Sequence, residues 1–479
     1  MSERSSSFLD DVVERTLGNL RSLRTAWRDI AASARGVLSG TPKPELSRDD
    51  AEHLRGQLRA CLEARGGAVS GRARAADLGR TYLSLNATGR ERFLRLLAEE
   101  FDVDHAAVGE LSERLIHTTG ESPRRKVERE LRLALEPPRV TLLTQFNALP
   151  EGVKFLVDMR AELMAMARRD PVLAGLELDL KALLASWFDI GFLELTRITW
   201  DAPAALLEKL IVYEAVHEIR SWTDLKNRLE ADRRCFGYFH PRMPEEPLIF
   251  VEVALVQGMS DNVQSLLDEA APLGDPAAAD TAIFYSISNC QRGLAGISLG
   301  DFLIKRVVDN LAAELPQIRN YATLSPIPGF RAWLDQRIAA EGSELLTANE
   351  QKALQQQLPS ELQGLGFGVL LGRPRWYAED KLVAALRAPL LRLCARYLLL
   401  EKSAKGRALD PVAHFHLTNG ARMERLNWLA DLSPKGMQQS AGIMINYLYR
   451  LADIEDNHEA YTGEGRVVAS VAINRLARG

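Results

Sequence analysis

Three stretches of this 479-residue chain carry side chains that could do chemistry. The first is Ile287-Ser-Asn-Cys-Gln-Arg-Gly-Leu-Ala-Gly-Ile-Ser-Leu-Gly300, a glycine-rich turn between an apolar, strand-like run and a helix-like one. Glycines at 293, 296 and 300 allow close backbone approach and positive φ. A helix start beyond them offers unpaired N–H groups and the positive end of a dipole, which suits phosphate oxygens. The same pattern fits a plain tight turn equally well. It is neither a Walker loop, since no Lys-Ser/Thr follows its last glycine, nor a clean dinucleotide fingerprint. The second stretch is Ser325, a hydroxyl directly before Pro326. The third holds His414 and His416, two residues apart. A serine before proline is ordinarily a turn former. On a strand the two imidazoles would face the same way, as a metal pair does. No third ligand lies near them in sequence, so His414 is expected to pack or hydrogen-bond.

These groups must be positioned by two different kinds of chain. Up to about residue 190 the apolar spacing is helical: Val13, Leu17, Leu20, Trp27 and Ile30 recur at steps near three and four, and a helix is expected over Glu151–Arg168. Ser47 with Asp50, and Thr88 with Glu91, read as capping boxes. The spacing predicts a further helix over Leu206–Val216. Beyond it come aromatic and β-branched runs at 235–240, 248–256 and 282–288, each strand-like. An amphipathic helix follows with Leu299, Leu303, Val307 and Leu311 on one face. Tyr321–Ser325 reads as a short strand stopped by Pro326-Ile-Pro-Gly329. A strong helix is expected within Lys381–Leu400, and late strands around Val412–Leu417 and Ile443–Tyr449. The expectation is an α+β protein: an all-helical domain, 1–190, followed by a mixed α/β domain, 191–479.

Composition excludes several functions. A net charge of −4 gives no electrostatic footprint for nucleic acid, and the local Arg clusters are interleaved with acids. The four cysteines, Cys61, Cys235, Cys290 and Cys394, form no metal-type spacing and fit a reducing compartment. No run of about 18 apolar residues suggests a membrane span. Asp10, Asp11 and Glu14 sit poorly in a transit peptide, so a cytoplasmic protein is expected.

Longer stretches add a resemblance. Phe250-Val-Glu-Val-Ala-Leu-Val256, Thr281-Ala-Ile-Phe-Tyr-Ser-Ile-Ser288, Phe302-Leu-Ile-Lys-Arg-Val-Val308, Leu324-Ser-Pro-Ile-Pro-Gly-Phe330, Phe415-His-Leu-Thr-Asn-Gly420 and Asn427-Trp-Leu-Ala-Asp431 appear in that order. Together they resemble malonyl-CoA decarboxylases, densely over 200–450. The resemblance implies a helical oligomerisation domain, a GNAT-like (acetyltransferase-fold) catalytic domain, and a homo-oligomer, expected to be a tetramer. It implies conversion of malonyl-CoA to acetyl-CoA and carbon dioxide, with no metal or organic cofactor. It makes Ser325 and His416 the catalytic pair. From the chemistry of a thioester enolate, which must be protonated at carbon, Ser325 is expected to orient the carboxylate or accept a proton, and His416, with a reference pKa of about 6.5, to donate the proton to carbon. Tyr449 is implied as catalytic support. The CoA-contacting loop maps onto Ala295, Gly296, Ile297, Ser298, Leu299, Gly300 and Asp301. Animal members carry an acid where this chain has Ser298, so no histidine-orienting role transfers to that position. The competing functions are a GNAT acyltransferase and a non-catalytic CoA-binding scaffold.

Overall fold

The computed structural model describes residues 27–28, 42–63, 67–297, 299 and 303–478. They fall into two compact units. The first is drawn from Met1–Glu194, Phe239–Leu248 and Cys290–Leu299, the second from Leu195–Tyr238, Ile249–Asn289 and Gly300–Gly479.

The first unit is helical. Its helices include Ala87–Glu100, Pro138–Asn147, Gly152–Ala167 and Val172–Trp187, which meet through Phe93, Leu97, Phe146, Phe155, Leu163 and Leu180. Trp27 is fully buried against Phe146 and Phe155; the other residues of the expected first helix, Val13, Leu17, Leu20 and Ile30, lie outside the described residues. Ser47 caps its helix as expected, accepting from the Asp50 N–H. Thr88 does not cap. Asn86 does, its side chain accepting from the Gly89 N–H, so the helix begins at Ala87 and Thr88 lies inside it. Asparagine is the better cap, and it stands two residues earlier.

Two segments from beyond residue 190 belong with these helices. The Arg160 guanidinium, paired with Glu177, donates to the carbonyls of Gly293 and Ala295. Gly293 lies so close to helix Gly152–Ala167 that a Cβ there would stand 1.7 Å from the Val157 carbonyl oxygen. In segment 239–248, His240 Nε2 lies 3.1 Å from the Trp187 carbonyl oxygen.

The second unit is built on a seven-stranded sheet. Its strands are β1 (Glu194–Ile198), β2 (Arg233–Phe239), β3 (Ile249–Val256), β4 (Thr281–Asn289), β5 (Asn320–Thr323), β6 (Arg422–Asn427) and β7 (Met444–Tyr449). Their order is β1-β2-β3-β4-β5-β7-β6. β2–β3, β3–β4, β5–β7 and β6–β7 pair antiparallel, whereas β4 and β5 run parallel. That parallel pair needs a crossover, and helix Leu303–Glu314 supplies it, burying Leu303, Val307 and Leu311. This is the mixed α/β arrangement expected from the sequence. β4 and β5 stay in register only from Thr281 with Asn320 to Phe284 with Thr323. β5 also pairs with β7 on its other edge, and beyond Thr323 the Leu324 N–H still donates to the Phe284 carbonyl of β4 while Ser325 pairs with Ile445 of β7.

One expected strand is a helix. Val412–Leu417 lies within helix Pro411–Thr418. Asp410 accepts from the N–H groups of Val412 and Ala413, and Pro411 occupies the first turn, where its missing N–H costs nothing. Eight residues are too few for a 3.6 period to show against an alternating apolar pattern, and the cap decides.

Candidate active site

Ser325 follows β5 and is held by two backbone bonds. Its N–H donates to the Ile445 carbonyl at 2.8 Å, and the Ile445 N–H donates back at 3.0 Å. Pro326 then ends the strand, since it has no N–H to add to a ladder. His416 reaches the serine from helix Pro411–Thr418, its Nε2 lying 3.0 Å from Ser325 Oγ. Its Nδ1 lies 2.8 Å from the Tyr449 hydroxyl on β7. On a helix, residues two apart point roughly 200° away from each other. His414 accordingly faces elsewhere, its Nδ1 lying 2.8 Å from the Tyr461 hydroxyl. The two histidines are not a metal pair.

Three further residues shape the site, none of them anticipated from the sequence. Thr323 Oγ1 accepts from the Ser325 hydroxyl at 2.8 Å and from the Tyr447 N–H at 3.1 Å. The Tyr447 ring stacks on the imidazole, centroids 4.4 Å apart and planes 25° apart. Asp410 caps the histidine's helix. The signals were present: Thr323 and Tyr447 stand two residues before Ser325 and Tyr449, on the same strand faces, and Asp-Pro is a helix-start pair. Ser325 is the most exposed member of the chain at 5%, against 2% for His416 and 1% for Tyr449.

Burial changes the histidine's chemistry. It pushes the His416 imidazole down to about 3, so the ring is neutral at neutral pH rather than titrating near its ordinary value. Burial raises the Tyr449 phenol and keeps it protonated. A neutral imidazole has one N–H and one lone pair. With the Ser325 O–H committed to Thr323, the ring donates from Nε2 to Ser325 and accepts at Nδ1 from Tyr449. The result is a continuous hydrogen-bonded chain from phenol through imidazole and serine to threonine.

Residues 191–479 match the family model for the malonyl-CoA decarboxylase C-terminal domain, and 101–188 the model for its N-terminal domain. The chain belongs to the malonyl-CoA decarboxylase family. It is 39% identical to "Malonyl-CoA decarboxylase, mitochondrial" of Anser anser anser over 413 residues, covering 83% of this chain and 82% of that one. Against the Mus musculus protein of the same name the identity is 38% over 467 residues, covering 93% and 91%. The crystal structure of malonyl-CoA decarboxylase from Rhodopseudomonas palustris matches with a TM-score of 0.81 at 42% identity, covering 88% of this chain and 99% of that one. The structure of the enzyme from Agrobacterium vitis gives 0.80 at 40%, covering 89% and 99%.

In this malonyl-CoA decarboxylase family member, the loop implied to contact CoA is described in part. Arg292–Leu294 forms a single 3-10 turn, and Gly296 takes a φ of +72°, which favours glycine. Ala295, Gly296, Ile297 and Leu299 are described with the helical unit, whereas Ser298, Gly300 and Asp301 lie outside the described residues. The crossover helix is described from Leu303, and Leu299 is not helical, so it does not join that helix's apolar face.

Proposed function

We propose that this chain is a carboxy-lyase that converts malonyl-CoA to acetyl-CoA and carbon dioxide through a thioester enolate. The observation that carries this is the hydrogen-bonded chain Ser325–His416–Tyr449, built on the two motifs that single out the family. Breaking the carbon–carbon bond leaves its electron pair on the thioester as an enolate, and one proton must be added to carbon. The thioester is itself the electron sink. Fixed donors at the developing oxyanion are worth about 3 kcal/mol each, and a positioned acid adds about 10²–10⁴-fold.

Ser325 orients the malonyl carboxylate, its O–H turning from Thr323 to the ligand, or accepts a proton in a relay. His416 gives the proton to carbon. The bound carboxylate brings a negative charge beside the ring, and an opposite charge favours the protonated imidazole. Proton uptake is thus coupled to substrate binding, which reconciles a neutral resting ring with a proton-donating role. Tyr449 holds Nδ1, and it does so without any acid at position 298. Residues 295–301 bind the CoA moiety.

The helical domain, 1–190, serves oligomerisation, to a tetramer in our proposal, and 191–479 serves thioester binding and catalysis. None of the four cysteines is in a disulfide, which supports a reducing compartment, the cytoplasm in our proposal.

Chromatography of malonyl-CoA reaction mixtures tests the residue roles. Ser325→Ala and His416→Asn are expected to lower kcat by about 10²–10⁴-fold, while CoA binding measured by calorimetry survives. Full turnover by either variant would contradict the role given to that residue.

A further inference from the structure

Ser325 and His416 stand on two segments far apart in sequence. Ser325 opens the turn Ser325-Pro-Ile-Pro-Gly329, and His416 lies on helix Pro411–Thr418. Asp410 touches both. Its Oδ1 accepts from the N–H groups of Val412 and Ala413, each at 3.0 Å, which is ordinary helix capping. Capping needs no more than that oxygen. Its Oδ2 accepts at 3.2 Å from the Gly329 N–H, 81 residues away in sequence, and at 3.4 Å from the Tyr397 hydroxyl. The carboxyl is 1% exposed, so water does not compete for these bonds.

The glycine that closes the turn is accounted for by the same contact. A Cβ at 329 would stand 2.1 Å from Tyr397 Oη and 3.5 Å from Asp410 Oδ2. Tyr397 cannot give way easily, because its ring is wedged against Phe330 and Trp333, with centroids 5.9 and 5.4 Å distant. It comes from helix Asp380–Leu400, which buries Leu386, Leu390, Leu393 and Cys394 around it. The turn is therefore seated on a rigid phenol and drawn to the helix cap by the second oxygen of one carboxyl.

We infer that Asp410 is a positioning residue for the reaction: it ties the Ser325 turn to the His416 helix and so fixes the Oγ–Nε2 distance. It does not touch the reacting atoms in this inference, which rests on the roles proposed above for Ser325 and His416.

Asp410→Asn separates capping from tethering. Asparagine caps as well as aspartate, but it has one acceptor oxygen, and its NH₂ would face the Gly329 N–H. The expected result is a melting temperature near wild type, a KM for malonyl-CoA within about twofold, and a kcat lowered by about 10–10²-fold, the scale of a misplacement near 1 Å. A kcat within twofold of wild type overturns the inference, as does a KM that rises while kcat holds. Should Asp410→Asn fail to fold, the pair of substitutions at the seat decides. Gly329→Ala should lower kcat, and adding Tyr397→Phe, which removes the clashing oxygen, should restore most of the loss. A double variant no better than Gly329→Ala overturns the inference. Ser325→Ala run alongside distinguishes the two failures, because full activity there defeats the proposed chemistry itself rather than the tether.

Discussion

A neutral imidazole buried at His416 makes stability depend on pH in a definite direction. Its folded value of about 3 lies below the ordinary 6.5, so between those pH values the unfolded chain holds more protons than the folded one. The contribution is complete above pH 6.5 and is lost as pH falls toward 3. From pH 6.5 to 4.5, wild type should lose about 2–3 kcal/mol more than His416→Asn does, at about 1.4 kcal/mol per pH unit. Urea titrations of both proteins at the two pH values check this, and parallel losses would contradict it. Tyr449→Phe leaves Nδ1 without its donor and lets the ring place its proton there instead. Steady-state assays should show kcat reduced by about 10²-fold with KM little changed, and an unaltered kcat removes Tyr449 from the relay. At this scale the motifs around Ser325 and His416 marked the pair before any fold was known. The imidazole's protonation state was not legible, because it depends on burial by β7 and on the Tyr447 ring stacked over it. Tyr447 shares its strand face with Tyr449, but that spacing does not show that its ring stacks on the imidazole.

Secondary-structure elements position these residues through few contacts, and their ends matter more than their middles. Gly293 sits where a Cβ would meet the Val157 carbonyl, so Gly293→Ala must push its segment off helix Gly152–Ala167. Overpacking of this kind costs roughly 1–3 kcal/mol, to be read from denaturant midpoints. Because Arg160 ties the same segment to that helix, the KM for malonyl-CoA should rise as well. A variant of wild-type stability and KM would show that the contact is not tight. Long elements with clear periodicity, such as β3, β4 and helix Leu303–Glu314, were legible from their apolar spacing. Helix Pro411–Thr418 was not, because its alternating side chains imitate a strand and only the Asp410-Pro411 pair tells otherwise. At Asn86 and Thr88 two adequate caps competed within three residues, and spacing alone does not rank them.

For the molecule as a whole, sequence order and spatial grouping differ. Periodicity separates a helical part from a mixed α/β part, but it carries no sign that 239–248 and 290–299 return to the helices. Those returns depend on single groups such as Arg160 and Gly293, and a carbonyl accepting from a distant guanidinium leaves no local signature. Among the described residues no helix is long and apolar enough to cross a membrane. The helical unit does expose apolar side chains on the paired helices His105–His117 and Glu121–Ala134, with Ile116 at 77% and Leu133 at 66%. If these mediate the proposed oligomer, Ile116→Glu with Leu133→Glu should reduce the mass found by light scattering to that of one 53.2 kDa chain. A mass unchanged by both substitutions would place the contact elsewhere. The central claim is the reaction, and incubating the protein with malonyl-CoA in heavy water, without any acyl acceptor, tests it most directly. The account predicts carbon dioxide and acetyl-CoA in equal amounts, with one solvent deuterium in the acetyl methyl group. Intact malonyl-CoA, or consumption only after an amine acceptor is added, would contradict it.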